Sequence, residues 1–300
     1  MRQIIALILL SLSPVSHAGI LMISHFDGNA GYLEHSIPNH RDYADCNCYS
    51  YIFFNGTLAS EFQNPNSSKM PIAKGSYWQK LVAVEQALSA IDPHTGAPYE
   101  WLAWFDADVI FANNEKGLAD VIETYATDHV HLLIASDHFI VEERDFFGLS
   151  SVNTGVFLLR NSEWSRNLLK EWRASFDHYK NHRTPEQSAL SGILGGFDDI
   201  NSELSRTEKL ERVKQNPNVA VVPQRVLNPK IVDDYISPEG TVWQPGDMVV
   251  HFMGPKPFKD MIPNFLECLK TDKSGRTCDW AHLGSVVIKL KALFQVVYNG

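Results

Sequence analysis

Three hundred residues, 44% of them hydrophobic and 20% charged, suffice for one large α/β domain or two small ones. That balance excludes a disordered or fibrous polypeptide. A formal net charge of −9 argues against general affinity for nucleic acid or anionic membrane, so a phosphate-bearing ligand needs a metal ion and a few placed cations.

The chain begins Met1-Arg2-Gln3, continues with an apolar run over residues 4–12, and reaches Ser16-His17-Ala18. This is the order of a secretory signal, so residues 1–18 are expected to be a cleaved leader and 19–300 a single domain. The rival reading is a retained leader that anchors the chain or associates it peripherally with a membrane, although the apolar run is short for a bilayer. A first strand is expected at 20–25, then a glycine-containing loop through Asp27-Gly28-Asn29. Residues 39–45 read as a short helix leading to an aromatic-rich strand at 49–54. Residues 55–75, rich in Asn, Ser and Pro, read as loop, and two sequons begin at Asn55 and Asn66.

Leu81, Val82, Val84, Leu88 and Ile91 follow helical spacing, and Pro93-His94-Thr95-Gly96 closes that helix. The next stretch carries the strongest signal. Trp101-Leu102-Ala103-Trp104-Phe105 is a buried-strand pattern that ends abruptly in Asp106-Ala107-Asp108, after which Val109-Ile110-Phe111 resume the apolar run. Unpaired buried carboxylates cost several kcal/mol. A hard cation at the carboxyl end of the strand, where open α/β sheets place their ligands, explains the pair; the plain alternative is a surface turn.

Asn114 is a candidate cap for a helix through Glu123, and residues 131–136 and 152–160 read as strands. Ser162 opens a helix bearing Trp164, Leu168, Leu169, Trp172 and Phe176 on one side, a core stripe. Pro185 begins another helix through Leu194, and strands follow at 219–222 and 247–252. Strands alternating with helices predict a mainly parallel central sheet with helices on both faces.

Four cysteines allow three pairings. Cys46 and Cys48 are too close to pair easily, whereas Cys268 and Cys278 are spaced to close a short loop worth about 3 kcal/mol. A four-cysteine zinc site is the rival, with poorly matching spacing.

Six pieces recur in a telling order: Asn39-His40-Arg41-Asp42-Tyr43-Ala44; Trp78-Gln79-Lys80; Tyr99-Glu100-Trp101 running into Asp106-Ala107-Asp108; Asn153-Thr154-Gly155; Glu186-Gln187-Ser188; and His251-Phe252-Met253-Gly254-Pro255-Lys256. The ordered set resembles glycosyltransferase family 34, the galactosyltransferase, mannan-polymerase and xyloglucan xylosyltransferase family, over roughly residues 20–260. The resemblance implies a GT-A-type nucleotide-sugar-binding fold and a divalent cation, Mn2+ foremost. It also implies a UDP- or GDP-linked sugar donor, a glycan acceptor and retention of anomeric configuration, in the Golgi or ER lumen or after secretion. Carried over by position, Asp106, Asp108 and His251 are the metal ligands, and mixed carboxylate and imidazole ligation suits manganese better than calcium.

Gly254 and Lys256 match the donor diphosphate contacts, Lys80 a lysine near the donor, and Asn153 and Thr154 groups able to bond sugar hydroxyls. Glu186, Gln187 and Asp137 match the polar residues around the transferred sugar. Each has a plainer reading: a strand-end histidine, solvated lysines, a turn before a strand, a helix first-turn glutamate. Two other functions stay open at this point. One is a secreted carbohydrate-binding protein that kept the fold but lost transfer. The other is a metal-dependent Asp-x-Asp phosphohydrolase, whose pattern belongs near a first strand rather than in mid-chain.

Overall fold

The computed structural model describes residues 19–62, 74–137, 150–182, 184–231, 240–254 and 256–271. The leader, the sequon at Asn66 and Cys278 lie outside these residues. The chain opens with β1 (Ile20–Phe26), α1 (Leu33–Cys46) and β2 (Ser50–Asn55), then two 3-10 turns at Ser60–Phe62 and Lys74–Trp78. Next come α2 (Gln79–Ala87), β3 (Trp101–Phe105), β4 (Val109–Phe111), α3 (Leu118–Tyr125), β5 (Leu132–Ser136) and β6 (Val152–Arg160). Helices α4 (Glu163–Ala174), α5 (Phe176–Tyr179), α6 (Pro185–Gly195) and α7 (Arg206–Lys214) precede β7 (Val219–Val222). The series ends with α8 (Gln224–Leu227), β8 (Val249–His251), α9 (Lys256–Lys259) and α10 (Ile262–Thr271). No helix among the described residues is long and apolar enough to cross a membrane.

Six strands form one sheet in the order β2-β1-β3-β6-β5-β7, and β6 alone runs against the rest. Both faces are covered, which is why β3 is apolar at every position and β1 is apolar from Ile20 to Ile23. Leu21, Ile23, Leu102 and Trp104 enter one core with α2, α4 and α6. Ile20, Met22, Trp101, Ala103 and Phe105 enter the other with α1 and α3. Each such fully buried side chain contributes roughly 1.5–3 kcal/mol.

The reversal of β6 decides where polar groups go. Phe105 pairs with Val156, so Asp106, the next residue, donates its N–H to the Gly155 carbonyl at 2.7 Å. The amino end of β6 therefore lies beside the carboxyl ends of its neighbours. Between β5 and β6 the register slips, Ile134 facing Phe157 and Ala135 facing Asn153, so Thr154, Gly155 and Val156 bulge out of that ladder. A separate two-stranded ribbon pairs Val109 of β4 with His251 of β8.

Several elements differ from expectation: α7 had no expected counterpart, β8 spans only Val249–His251, and three helix boundaries move for identifiable reasons. Helix α1 reaches back through Pro38, which forfeits one helical hydrogen bond without ending the helix. Helix α2 stops at Ala87, because Asp92 builds a turn instead, accepting from His94 N and Thr95 Oγ1, and Ile91 is left 54% exposed. Gly117 rather than Asn114 precedes α3, where the Asp120 carboxylate accepts the Gly117 N–H at 3.0 Å. Cys268 is in a disulfide, whereas Cys46 and Cys48 are free and exposed.

Candidate active site

The Asp-x-Asp pair leaves β3 in a tight turn closed by Val109 N–H on the Asp106 carbonyl. Two side chains of α1 hold the strand beyond it. Asn39 accepts the Phe111 N–H at 2.8 Å and donates to its carbonyl at 2.9 Å, as a neighbouring strand would. His40 reaches the Val109 carbonyl at 2.6 Å through Nε2, with Ser24 Oγ at 3.0 Å from Nδ1. Burial drives the His40 pKa down to about 4, only partly opposed by that carbonyl and Asp108. The ring is neutral and structural, so the Asn39-His40 motif serves the site from below.

Because β8 pairs with β4, His251 is carried to Asp108, with Nε2 3.1 Å from Oδ1. One ligand atom each from Asp106, Asp108 and His251 lies within 4.8 Å of the others. His251 Nδ1 is engaged by Asn228 Oδ1 at 2.6 Å, which leaves Nε2 for the carboxylate side. Lys259 Nζ stands 3.0 Å from Asp108 Oδ2, a positive charge where the carboxylate needs one. Burial alone would raise the Asp108 pKa; His251 and Lys259 outweigh it and hold the carboxyl well below its usual range. An anionic site, buried at Asp108 and His251 and open at Asp106, with one imidazole nitrogen turned inward, fits a divalent cation with mixed oxygen and nitrogen ligands.

Lys80 links this cluster to a second one. Its buried ammonium lies 3.3 Å from Asp106 Oδ1 and 3.2 Å from Glu186 Oε1, and donates to the Thr154 carbonyl at 3.1 Å. Burial works against the charge, but the two carboxylates prevail and raise its pKa. Trp104 Nε1 also donates to Asp106 Oδ1, at 2.9 Å. Thr154 Oγ1 donates to Glu186 Oε1 at 3.0 Å, and Thr154 N–H donates to Gln187 Oε1 at the same distance. Gln187 Nε2 in turn donates to Asp137 Oδ2 at 3.1 Å, and Arg206 approaches Asp137 within 3.7 Å. The Gln187 amide is thus oriented from both ends.

Lys80, Asp106, Asp108, Asp137, Thr154, Glu186, Gln187 and His251 therefore stand at one edge of the sheet. Asn153 is there too, but its Oδ1 accepts from Gly155 N–H at 2.8 Å, within the bulge. Gly254 holds φ +105°, a conformation L side chains rarely adopt. Lys256 is not turned to the carboxylates: its side chain is 82% exposed and bonds Asp260. The short helix α9 places Lys259 inward instead. Lys259, Asn228 and Arg206 escaped sequence reasoning because they belong to no motif; only folding brings them to the site. Tyr77, anchored by the buried Trp78, keeps 37% of its surface exposed near Glu186, Asp106 and Lys259.

Residues 16–261 match the model of the galactosyl transferase GMA12/MNN10 family. The chain belongs to that family. An alpha-1,2-galactosyltransferase of Schizosaccharomyces pombe is 22% identical over 295 aligned positions, taking in 87% of this chain and 68% of the relative. "Probable glycosyltransferase 6" of Oryza sativa subsp. indica is 35% identical over 97 residues, 32% of this chain, and those residues span 18% of the rice protein. A solved glycosyltransferase involved in glycosylation of the major capsid of PBCV-1 superposes with a TM-score of 0.54 at 15% identity, covering 82% of this chain and 99% of that one. That likeness establishes the fold, a GT-A-type α/β sheet flanked by helices.

Proposed function

We propose that this chain is a metal-dependent, retaining glycosyltransferase that moves a hexosyl or pentosyl unit from a UDP- or GDP-linked donor to a glycan acceptor. The observation that carries the reading is a pair of adjoining polar clusters, Asp106–Asp108–His251 with ligand atoms within 4.8 Å of one another and Glu186–Gln187–Asp137, linked by Lys80 between Asp106 and Glu186. Such a span suits a ligand with a diphosphate and a sugar.

Asp106, Asp108 and His251 would hold the cation, Mn2+ by the mixed donor set, and its charge would neutralise that building on the leaving diphosphate. The chain's own cations act there too. Lys259, turned towards Asp108 on α9, meets the diphosphate oxygens, and Gly254 lets the backbone approach them. Lys80 sets one positive charge between Asp106 and Glu186 at close quarters. Glu186 and Asp137 offer negative charge to a sugar carbon that becomes electron-poor as its bond to phosphate breaks. Gln187 has its carbonyl oxygen committed to Thr154, so it offers the sugar an N–H.

The acceptor hydroxyl oxygen then bonds to the anomeric carbon on the face the nucleotide leaves, and its proton passes to the departing phosphate oxygen. Support for this same-face route is that Glu186 Oε1 is already bound by Lys80 and Thr154, which weakens it as a nucleophile. The reading places the enzyme, as a single domain, in a secretory lumen. The leader-like residues 1–18 and the disulfide at Cys268 support that placement. The test is a screen of UDP- and GDP-sugars for hydrolysis and transfer. EDTA should abolish turnover, and Mn2+ should restore it better than Ca2+. Full turnover in EDTA would refute the metal-dependent reading.

A further inference from the structure

His251 can serve a cation through Nε2 only if the proton of its neutral ring sits on Nδ1. We infer that Asn228 is the positioning residue that fixes this state, and so confers manganese over calcium preference on the site. The inference rests on the metal reading above.

Asn228 is fully buried, and its Oδ1 lies 2.6 Å from His251 Nδ1. Its Nδ2 finds no hydrogen-bond partner, so the bond to His251 is what the carboxamide does there. Its own position is fixed by the backbone. Strand β7 runs into the short helix α8, whose last turn Asn228 closes by donating N–H to the Gln224 carbonyl at 2.7 Å. The next residue, Pro229, accepts the His251 N–H at 2.9 Å, and Lys230 bridges to His251 as a short parallel pairing. The ring on β8 and the carboxamide at the end of α8 are thus tied to each other by backbone pairing through Pro229 and Lys230. Gly155 leaves no room for a Cβ beside the ring's Cε1 and Nδ1, so β6 packs directly against the imidazole.

With Asn228 Oδ1 as acceptor, Nδ1 must be the donor, and Nε2, 3.1 Å from Asp108 Oδ1, is the nitrogen left to ligate when a cation displaces any proton there. If the amide were turned over, Nδ2 would donate to a bare Nδ1, the proton would move to Nε2, and the nitrogen could not ligate. The choice matters for the metal. Two carboxylates bind Ca2+ or Mn2+ through oxygen, and the nitrogen is what distinguishes them. Outer-shell partners of this kind typically govern about 10–100-fold in metal affinity.

Mn2+ and Ca2+ are titrated separately into the full chain without donor by calorimetry, for wild type, Asn228→Ala and Asn228→Asp. Asn228→Ala should lose about tenfold or more in Mn2+ affinity while Ca2+ affinity changes by less than about threefold. Asn228→Asp, which keeps an acceptor oxygen, should stay near wild type for Mn2+. Equal losses for both ions would mean a merely structural role and overturn the inference, as would an unchanged Mn2+ affinity in Asn228→Ala. Wild type that binds no Mn2+ would instead overturn the metal reading itself. Nitrogen NMR of labelled histidines in metal-free wild type needs no variant to fold: His251 Nδ1 should carry a proton, and a bare Nδ1 would refute the assignment.

Discussion

A methyl group on Gly155 would overlap Cε1 of His251 and come within 2.8 Å of its Nδ1. The glycine of the Asn153-Thr154-Gly155 motif is therefore a seat for the histidine ring, as well as a link in the bulge. Gly155→Ala must push the imidazole away from Asp108 or shift β6. It should cost about 1–3 kcal/mol in stability by overpacking and lower Mn2+ affinity by roughly tenfold or more, as loss of a ligand's alignment does. Denaturant unfolding and calorimetry measure the two effects. Wild-type Mn2+ affinity in this variant would show that the ring has another place to go.

Lys80 sits buried between two carboxylates, Glu186 buried with it and Asp106 partly exposed. Lys80→Met should destabilise the protein by roughly 3–5 kcal/mol, because Glu186 is left buried and unpaired. Adding Glu186→Gln removes the stranded charge, so the double variant should be more stable than Lys80→Met alone. Urea unfolding of the four members of this cycle gives the coupling. If the double variant loses the sum of the two single effects, the buried pairing is not what holds them.

His40 should make stability depend on pH below neutrality. Its pKa is about 4 in the folded protein against 6.5 for an ordinary histidine, so the unfolded chain binds a proton that the native ring refuses. The contribution is whole above about pH 6.5 and is lost progressively as pH falls towards 4, to a total of about 3 kcal/mol. Unfolding free energies at pH 7.5, 6 and 5 should fall more steeply for wild type than for His40→Gln. Matching slopes would mean that other groups carry the pH dependence.

The stereochemical course separates two mechanisms that use the same residues. With Glu186 held by Lys80 and Thr154, a same-face transfer predicts a retained product and no covalent adduct. Glu186→Gln should then slow transfer without trapping an intermediate. Product configuration by NMR and intact mass of enzyme with donor and a poor acceptor decide the matter. An adduct on Glu186 would establish double displacement, and an inverted product would contradict retention.

Much of the site was legible because β3 is covered on both faces. Only Asp106 and Asp108 break that apolar run, and they do so where the strand ends. Beta6 was readable end to end for the same reason, but its direction was not, since burial on both faces leaves no mark of strand orientation. Asn39 and His40 were visible as a motif yet silent about their task. They support the backbone of Phe111 and Val109, and a sequence does not show a carbonyl 72 or 69 residues away. Lys256 carried the motif's charge, but the single turn of α9 turned Lys259 to Asp108.

The sequence by itself determined most of the sheet's strands, the family and most of the side chains that meet at one sheet edge, though not α7, because burial periodicity and the order of motifs are local properties of the chain. Tertiary structure alone decided which atoms face which. The antiparallel course of β6 put Gly155 against Asp106 and His251. The β4–β8 ribbon brought His251 to Asp108, and the turn after β7 set Asn228 behind the ring. These contacts join residues 23 to 143 positions apart. Their geometry is fixed by strand register and packing, which no local pattern of residues encodes.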